Sequence, residues 1–125
     1  MMGTPNEALV KIGNRSYTIS SDDDYLQHIS AGFEPETVRL IEALATGGRN
    51  ALDIGANIGC TALLLSQRCR HVHAFEPSPT TFRFLQKNVS RSGATNISIQ
   101  NIGLGADSVE STLTFAPSLR AGGFI

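Results

Sequence analysis

The chain lacks any apolar run approaching the ~20 residues that a membrane span requires. Its start is polar, with Gly3, Pro5 and Asn6, and lacks the apolar stretch of a signal peptide, so the expected location is the cytoplasm. A surplus of basic residues is missing too. Lys and Arg total 10 against 11 Asp and Glu, a formal charge of −1, so no field marks a nucleic-acid or anionic-membrane partner. Only two cysteines occur, Cys60 and Cys69. Zinc ligands come in pairs with about two to four residues between them, and cytosolic thiols rarely pair as disulfides, so both read as small buried or half-buried side chains and no metal is expected.

With 41% apolar and 17% charged residues, the composition is that of a folded globular protein. At 125 residues it makes one domain at most, large enough to bury a core but small for a complete α/β enzyme. Met1 to Glu7 shows no periodicity and reads as a loose start. Ala8 to Ile12 and Arg15 to Ile19 alternate (Val10, Ile12, Tyr17, Ile19) around Gly13-Asn14, a two-residue hairpin signal. Ser21 or Asp22 is a candidate cap for a short helix to about Ser30, and the Asp22–Asp24 run reads as a solvated turn at a helix N-terminus rather than a metal site. Residues 1–31 thus form a hairpin with a short helix.

From residue 32 to 125 the pattern changes. Pro35 opens an amphipathic helix to Ala45, with Val38, Ile41, Leu44 and Ala45 at helical spacing and Gly47-Gly48 as its stop. Asn50–Ile54, His71–Phe75 and Ile97–Ile102 read as strands, separated by helices over Ile58–Arg68 and from Ser78 or Thr80 to Ser92, the latter ended by Gly93. Val109–Phe115 alternates as a further, half-exposed strand, and the tail over 116–125 carries little pattern. Strands alternating with helices predict an α/β fold: a Rossmann-like parallel sheet with right-handed crossovers, here half of the usual doubly wound sheet.

The chemistry gathers at the turns. Asp53 ends the first strand, and Gly55-Ala56-Asn57-Ile58-Gly59 turns directly into a helix, the opening βα unit of a nucleotide-binding fold. Glu76, before Pro77, ends the second strand, and Asn101 ends the third, so all three polar residues face the crevice outside the strand ends where ligands of open α/β sheets bind. An acid at Glu76 suits the two hydroxyls of an unmodified ribose. A dinucleotide site wants Gly-x-Gly-x-x-Gly under a pyrophosphate, but Asn57 and Cys60 occupy the second and third glycine positions, and the charge of Asp53 opposes phosphate. A positively charged ligand without phosphate fits better, and S-adenosylmethionine, with its ammonium and sulfonium, is one. His71 and His73, two apart on one strand, read as core or surface histidines rather than catalytic ones, and no general base is named.

Asp53-Ile54-Gly55-Ala56-Asn57-Ile58-Gly59, Ala74-Phe75-Glu76-Pro77 and Asn101-Ile102-Gly103-Leu104-Gly105 resemble the FkbM family of S-adenosylmethionine-dependent methyltransferases, as do Phe33-Glu34 and Leu85-Gln86-Lys87-Asn88. The resemblance covers about Gly32 to Phe115. It implies that Asp53 lies near the methionine amino end and that Gly55, Ala56, Asn57 and Gly59 shape the loop beneath it. Glu76, beside Pro77, would bind the ribose, and Asn101 with Ile102 would border the adenine. It also implies O-methylation of a sugar or other small-molecule acceptor.

Complete relatives of that family continue through four more strands, so the chain is expected to be an N-terminal half with an incomplete acceptor pocket. Its first sheet strand is then expected to offer an open edge for self-association or a partner chain. Two competing expectations stand beside this one. The first is a non-catalytic Rossmann-like module that binds cofactor or a partner. The second is a nicotinamide-dependent enzyme, disfavoured by Asn57, Cys60 and Asp53.

Overall fold

The computed structural model describes residues 6–45, 47–106, 114–116 and 119–124, the last two stretches by their backbone alone. Two short strands, β1 (Asn6–Ile12) and β2 (Arg15–Ser21), form the expected hairpin with Ile12 opposite Arg15. Gly13 takes φ +63, as the two-residue turn requires. The strand begins earlier than the alternation indicated, because Asn6 and Glu7 pair with Ser21 and Ser20.

Helix α1 is shorter than expected, Tyr25–His28. Asp24, not Ser21 or Asp22, stands at the N-cap position, while Ser21 Oγ donates to Asp23 Oδ1 (2.8 Å), which also accepts from the Tyr25 amide. Helix α2 (Pro35–Leu44) starts at its proline and stops at Leu44, before the two glycines, because Ala45 is already extended. Only part of its apolar stripe is covered: Val38 and Ile41 pack on the hairpin core, whereas Leu40 and Leu44 stay exposed.

The parallel sheet has the order β3–β4–β5, from β3 (Asn50–Ile54), β4 (His71–Phe75) and β5 (Ile97–Gln100). Helices α3 (Cys60–Ser66) and α4 (Pro79–Ser92) are its crossovers. Because strand order follows chain order, right-handed crossovers put both helices on one face. There Ala62, Leu85 and Val89 pack with Val72, Ala74, Ile97 and Ile99. Leu52 and Ile54 on the opposite face remain exposed, and β3 pairs only with β4 among the described residues.

The run Ala62-Leu63-Leu64 is buried all round, for a reason the sequence pattern alone did not reveal. Ala62 meets the sheet while Leu63 and Leu64 meet Val10, Ile12, Tyr17 and Ile19 of the hairpin. The hairpin is thus a third layer outside the helices, and a helix buried on two sides must be apolar on two sides. Gln67 closes this layer at the hairpin turn. Its Nε2 donates to the Ile12 carbonyl (2.8 Å) and to Tyr17 Oη (2.9 Å), and its Oε1 accepts from the Asn14 amide.

Beyond β5, Thr114–Ala116 (β6) and Leu119–Phe124 (β7) form an antiparallel pair. The alternation over Val109–Phe115 lies mostly outside the described residues, and β7 falls where the sequence showed no pattern. Among the described residues no helix is long and apolar enough to cross a membrane.

Gly13 is where the turn and α3 meet. A Cβ there would lie 2.5 Å from Gln67 Oε1 and 2.8 Å from Leu64 Cδ1, on a backbone at φ +63. Gly13→Ala is expected to cost about 1–3 kcal/mol in urea unfolding. Gly48→Ala, where a Cβ meets nothing within 4 Å, should stay within about 0.5 kcal/mol. Equal losses at the two positions would show that the hairpin turn is not seated on α3.

Candidate functional site

The site begins with the carboxyl end of β3. Asp53 faces the helix side of the sheet and is 8% exposed, and its Oδ2 is buried and accepts no hydrogen bond among the described residues. Burial, and then the negative charge of Glu76, push its carboxyl up to about 6. An ionised carboxylate with a bare buried oxygen is stable only beside a positive charge or a donor.

The chain then turns over the end of the neighbouring strand. The amides of Gly55 and Ala56 both donate to the Phe75 carbonyl at 2.9 Å. Gly55 stands at φ +77 with open space where a Cβ would be, so no described residue crowds this backbone. Asn57 also takes a left-handed φ, +54, and Gly59 takes φ +106 as α3 begins.

Glu76 holds this turn. It is 7% exposed at the end of β4; Oε1 accepts from the Asn57 amide (2.8 Å) and Oε2 from the Ser78 amide (3.0 Å). Ser78 in turn caps α4, its Oγ accepting from the Thr81 amide, and Pro79 supplies the first helical residue. A carboxylate has about four acceptor positions, so Glu76 keeps about two for a ligand after holding both loops.

Asp53, Gly55, Ala56, Asn57, Gly59 and Glu76 are therefore brought together as the sequence suggested. Asn101 is different. Strand β5 ends at Gln100, and the Asn101 amide donates to the Glu76 and Pro77 carbonyls (2.8 and 3.1 Å), pinning the loop after β4. Its side-chain donors serve the protein, which leaves the exposed Ile102 as the apolar neighbour of the cleft. The histidines stand apart, His71 Nε2 bonding Ser98 Oγ at 2.7 Å with the His73 ring 4.8 Å away. Cys60, the first residue of α3, is buried, and burial with the nearby Glu34 and Asp53 charges raises its thiol to about 12, so it is no nucleophile.

Two residues of this neighbourhood, Asn88 and Tyr25, were given no role by the sequence reading. Asn88 is 1% exposed and bonds the Ile58 carbonyl next to Gly59. Tyr25 donates to Glu34 Oε2, and Glu34 itself sits at φ +21 ahead of α2. The available signal for Asn88 was a polar residue between Leu85 and Val89 on the apolar face of α4.

No family model matches the chain. Over 102 residues it is 30% identical to the hexuronic acid methyltransferase AglP of Haloferax volcanii, covering 82% of this chain and 41% of that protein. Over 70 residues it is 31% identical to Methyltransferase 1 of Beauveria bassiana, covering 54% of this chain and 28% of that one. The chain thus spans well under half the length of these relatives. Among solved structures it is similar to Trm5b of Pyrococcus abyssi, with a TM-score of 0.57, 17% identity, and 78% of this chain and 28% of that chain covered. It is also similar to the SMU.1697c protein of Streptococcus mutans, solved in complex with SAH, with a TM-score of 0.51, 15% identity, and 54% and 39% covered.

The fold is a Rossmann-like α/β fold, the parallel sheet with flanking helices shared with these solved structures. Within it, Asp53 stands at the end of the first strand of the parallel sheet and Glu76 at the end of the second.

The raised carboxyl of Asp53 has a stability signature. Its pKa rises from 3.8 in the unfolded chain to about 6 in the fold, so between these values the folded state binds the extra proton. Stability from this group is fully present at low pH and lost as pH rises through about 6. Asp53→Asn is expected to remove that slope and to raise neutral-pH stability by about 1–3 kcal/mol. Urea unfolding at pH 4 and pH 8 checks it; an unchanged slope would show that Asp53 is not the buried, unpaired charge.

Proposed function

We propose that this chain carries the S-adenosylmethionine-binding half of a methyltransferase of the FkbM type. The observation that carries the reading is Asp53: a buried carboxylate oxygen without a partner among the described residues, beside a glycine turn whose Gly55 has open space around it. A cation completes it. S-adenosylmethionine brings an ammonium for Asp53 and a ribose whose hydroxyls suit the remaining acceptor positions of Glu76. Its charge is of the right sign, whereas a pyrophosphate would meet the carboxylate of Asp53. Gly55, Ala56, Asn57 and Gly59 provide the backbone beneath the methionine moiety, and Pro77, Asn101 and Ile102 border the adenine.

When bound, the cofactor supplies an activated methyl group and its own leaving group, so the protein's task is orientation and exclusion of water. Asp53 and Glu76 orient the two ends of the cofactor, and the exposed Ile102 offers an apolar surface to the base. O-methylation of a sugar or other small molecule fits the resemblance to the FkbM family and the hexuronic acid substrate named for one relative. The free edge of β3 is the proposed place where a further strand, from a second copy or a partner chain, completes the sheet. The same reading keeps the chain in the cytoplasm, where the free thiols of Cys60 and Cys69 stay reduced.

Calorimetric titration with S-adenosylhomocysteine tests the cofactor. Binding is expected to tighten as pH rises through about 6, because the ammonium pairs with ionised Asp53. Glu76→Gln, which cannot accept from both loop amides, should weaken it by about tenfold or more. No heat at about 1 mM ligand, a limit set by millimolar affinity, would sink the reading.

A further inference from the structure

The polar side chain most deeply buried near the turn belongs to Asn88, which the proposed chemistry does not use. Its amide makes four hydrogen bonds that only one orientation satisfies. Oδ1 accepts from the Ser20 amide (2.8 Å) and from Arg91 Nη2 (3.2 Å), while Nδ2 donates to the Ser20 carbonyl (3.0 Å) and the Ile58 carbonyl (2.8 Å). Asn88 therefore pairs with both backbone groups of Ser20 as a neighbouring strand would, and holds the cofactor turn by its next carbonyl. Arg91 backs it from outside, donating to Ser20 Oγ (2.7 Å) and to Glu7 Oε1 (3.1 Å).

The turn has little other support on this side. A Cβ on Gly59 would lie 3.0 Å from Leu85 Cδ1 and 3.8 Å from Val89 Cγ2, so Gly59 already rests against the same face of α4. Asn57 is held in its left-handed conformation by its own amide bond to Glu76 and by the Gly59 amide, which donates to the Ala56 carbonyl across the turn (3.1 Å). Whatever shifts the Ile58 carbonyl shifts its neighbours Asn57 and Gly59.

We infer that Asn88 is a positioning residue that couples the N-terminal hairpin to the cofactor turn, so that the turn keeps its binding geometry only while the hairpin is seated on α4. The hairpin is then part of the cofactor site without touching the cofactor. The inference rests on the cofactor reading for its functional meaning, but the mechanical link stands on its own.

Amide-resolved hydrogen exchange on the full chain, without ligand, tests the link. Asn88→Asp keeps the acceptor for the Ser20 amide and removes both donors, so the Asn57 and Gly59 amides should exchange about tenfold faster. Val72 and Ala74 in the sheet should keep wild-type rates, and Ser20 should change little. Asn88→Ala, which removes every bond, should free Ser20 as well. S-adenosylhomocysteine affinity should fall by about tenfold in Asn88→Asp. Turn amides at wild-type rates in Asn88→Asp would overturn the inference, and so would one uniform acceleration of all amides, which marks a merely structural residue. If the wild type takes no S-adenosylhomocysteine, the cofactor reading fails while the exchange pattern still decides the link.

Discussion

The arrangement depends on one carboxylate reaching two backbone amides. Asn57 belongs to the turn after β3 and Ser78 to the start of α4, and Glu76 accepts from both. These amides lie beyond the ends of strands, where the ladder no longer pairs them, and burial without a partner would be costly. A charged acceptor makes stronger bonds than a neutral one. Glu76 thereby holds a non-glycine residue, Asn57, at positive φ, a conformation that costs about 1–3 kcal/mol when nothing compensates. Asn101 secures the same loop from the third strand by donating to the carbonyls of Glu76 and Pro77. The ends of β3, β4 and β5 are therefore tied together through hydrogen bonds before any ligand arrives.

A tied turn needs a rigid base, which the layering supplies. The short α3 gains its rigidity from burial on both sides rather than from length, since seven residues make a helix of marginal stability alone. The hairpin contributes one of those sides, and side-chain amides of the helix layer tie its backbone down at two places, Gln67 at its turn and Asn88 near its far end. Both fastenings use side-chain amides, which can donate and accept at once and so satisfy a strand edge that has no neighbouring strand.

How far this was legible in the sequence differs by feature. The hairpin turn at Gly13-Asn14, the strand over Asn50–Ile54, the proline start at Pro35, the helix start at Ser78 and the stop at Gly93 all declare themselves through local signals, and the structure has them there. Asp53 and Glu76 were legible because parallel strands in chain order bring successive strand ends side by side. The third strand was read to Ile102 but stops at Gln100, and the Asn101 side-chain amide ties the loop after β4, because periodicity marks position along a strand and not where the strand stops. The bonds of Asn88 and Gln67 were not legible, since their partners lie 68 and 55 residues away; a polar residue on an apolar helix face marks a buried group but does not name its partner.

The remaining tension lies at Asp53. A fold optimised for stability alone would not leave a carboxylate oxygen buried without a partner beside a second acid. The raised carboxyl shows that the surrounding chain disfavours the charge, and nothing among the described residues relieves it. A cation ligand relieves it by Coulomb attraction in a site where water does not screen the pair, and so gains from the same burial that costs the free protein stability. Phosphate would make the strain worse, which is why the acid at the strand end, more than the glycines after it, decides between the nucleotide ligands this fold can hold. In the proposed function the glycine turn admits the ligand, and Asp53 sets its charge.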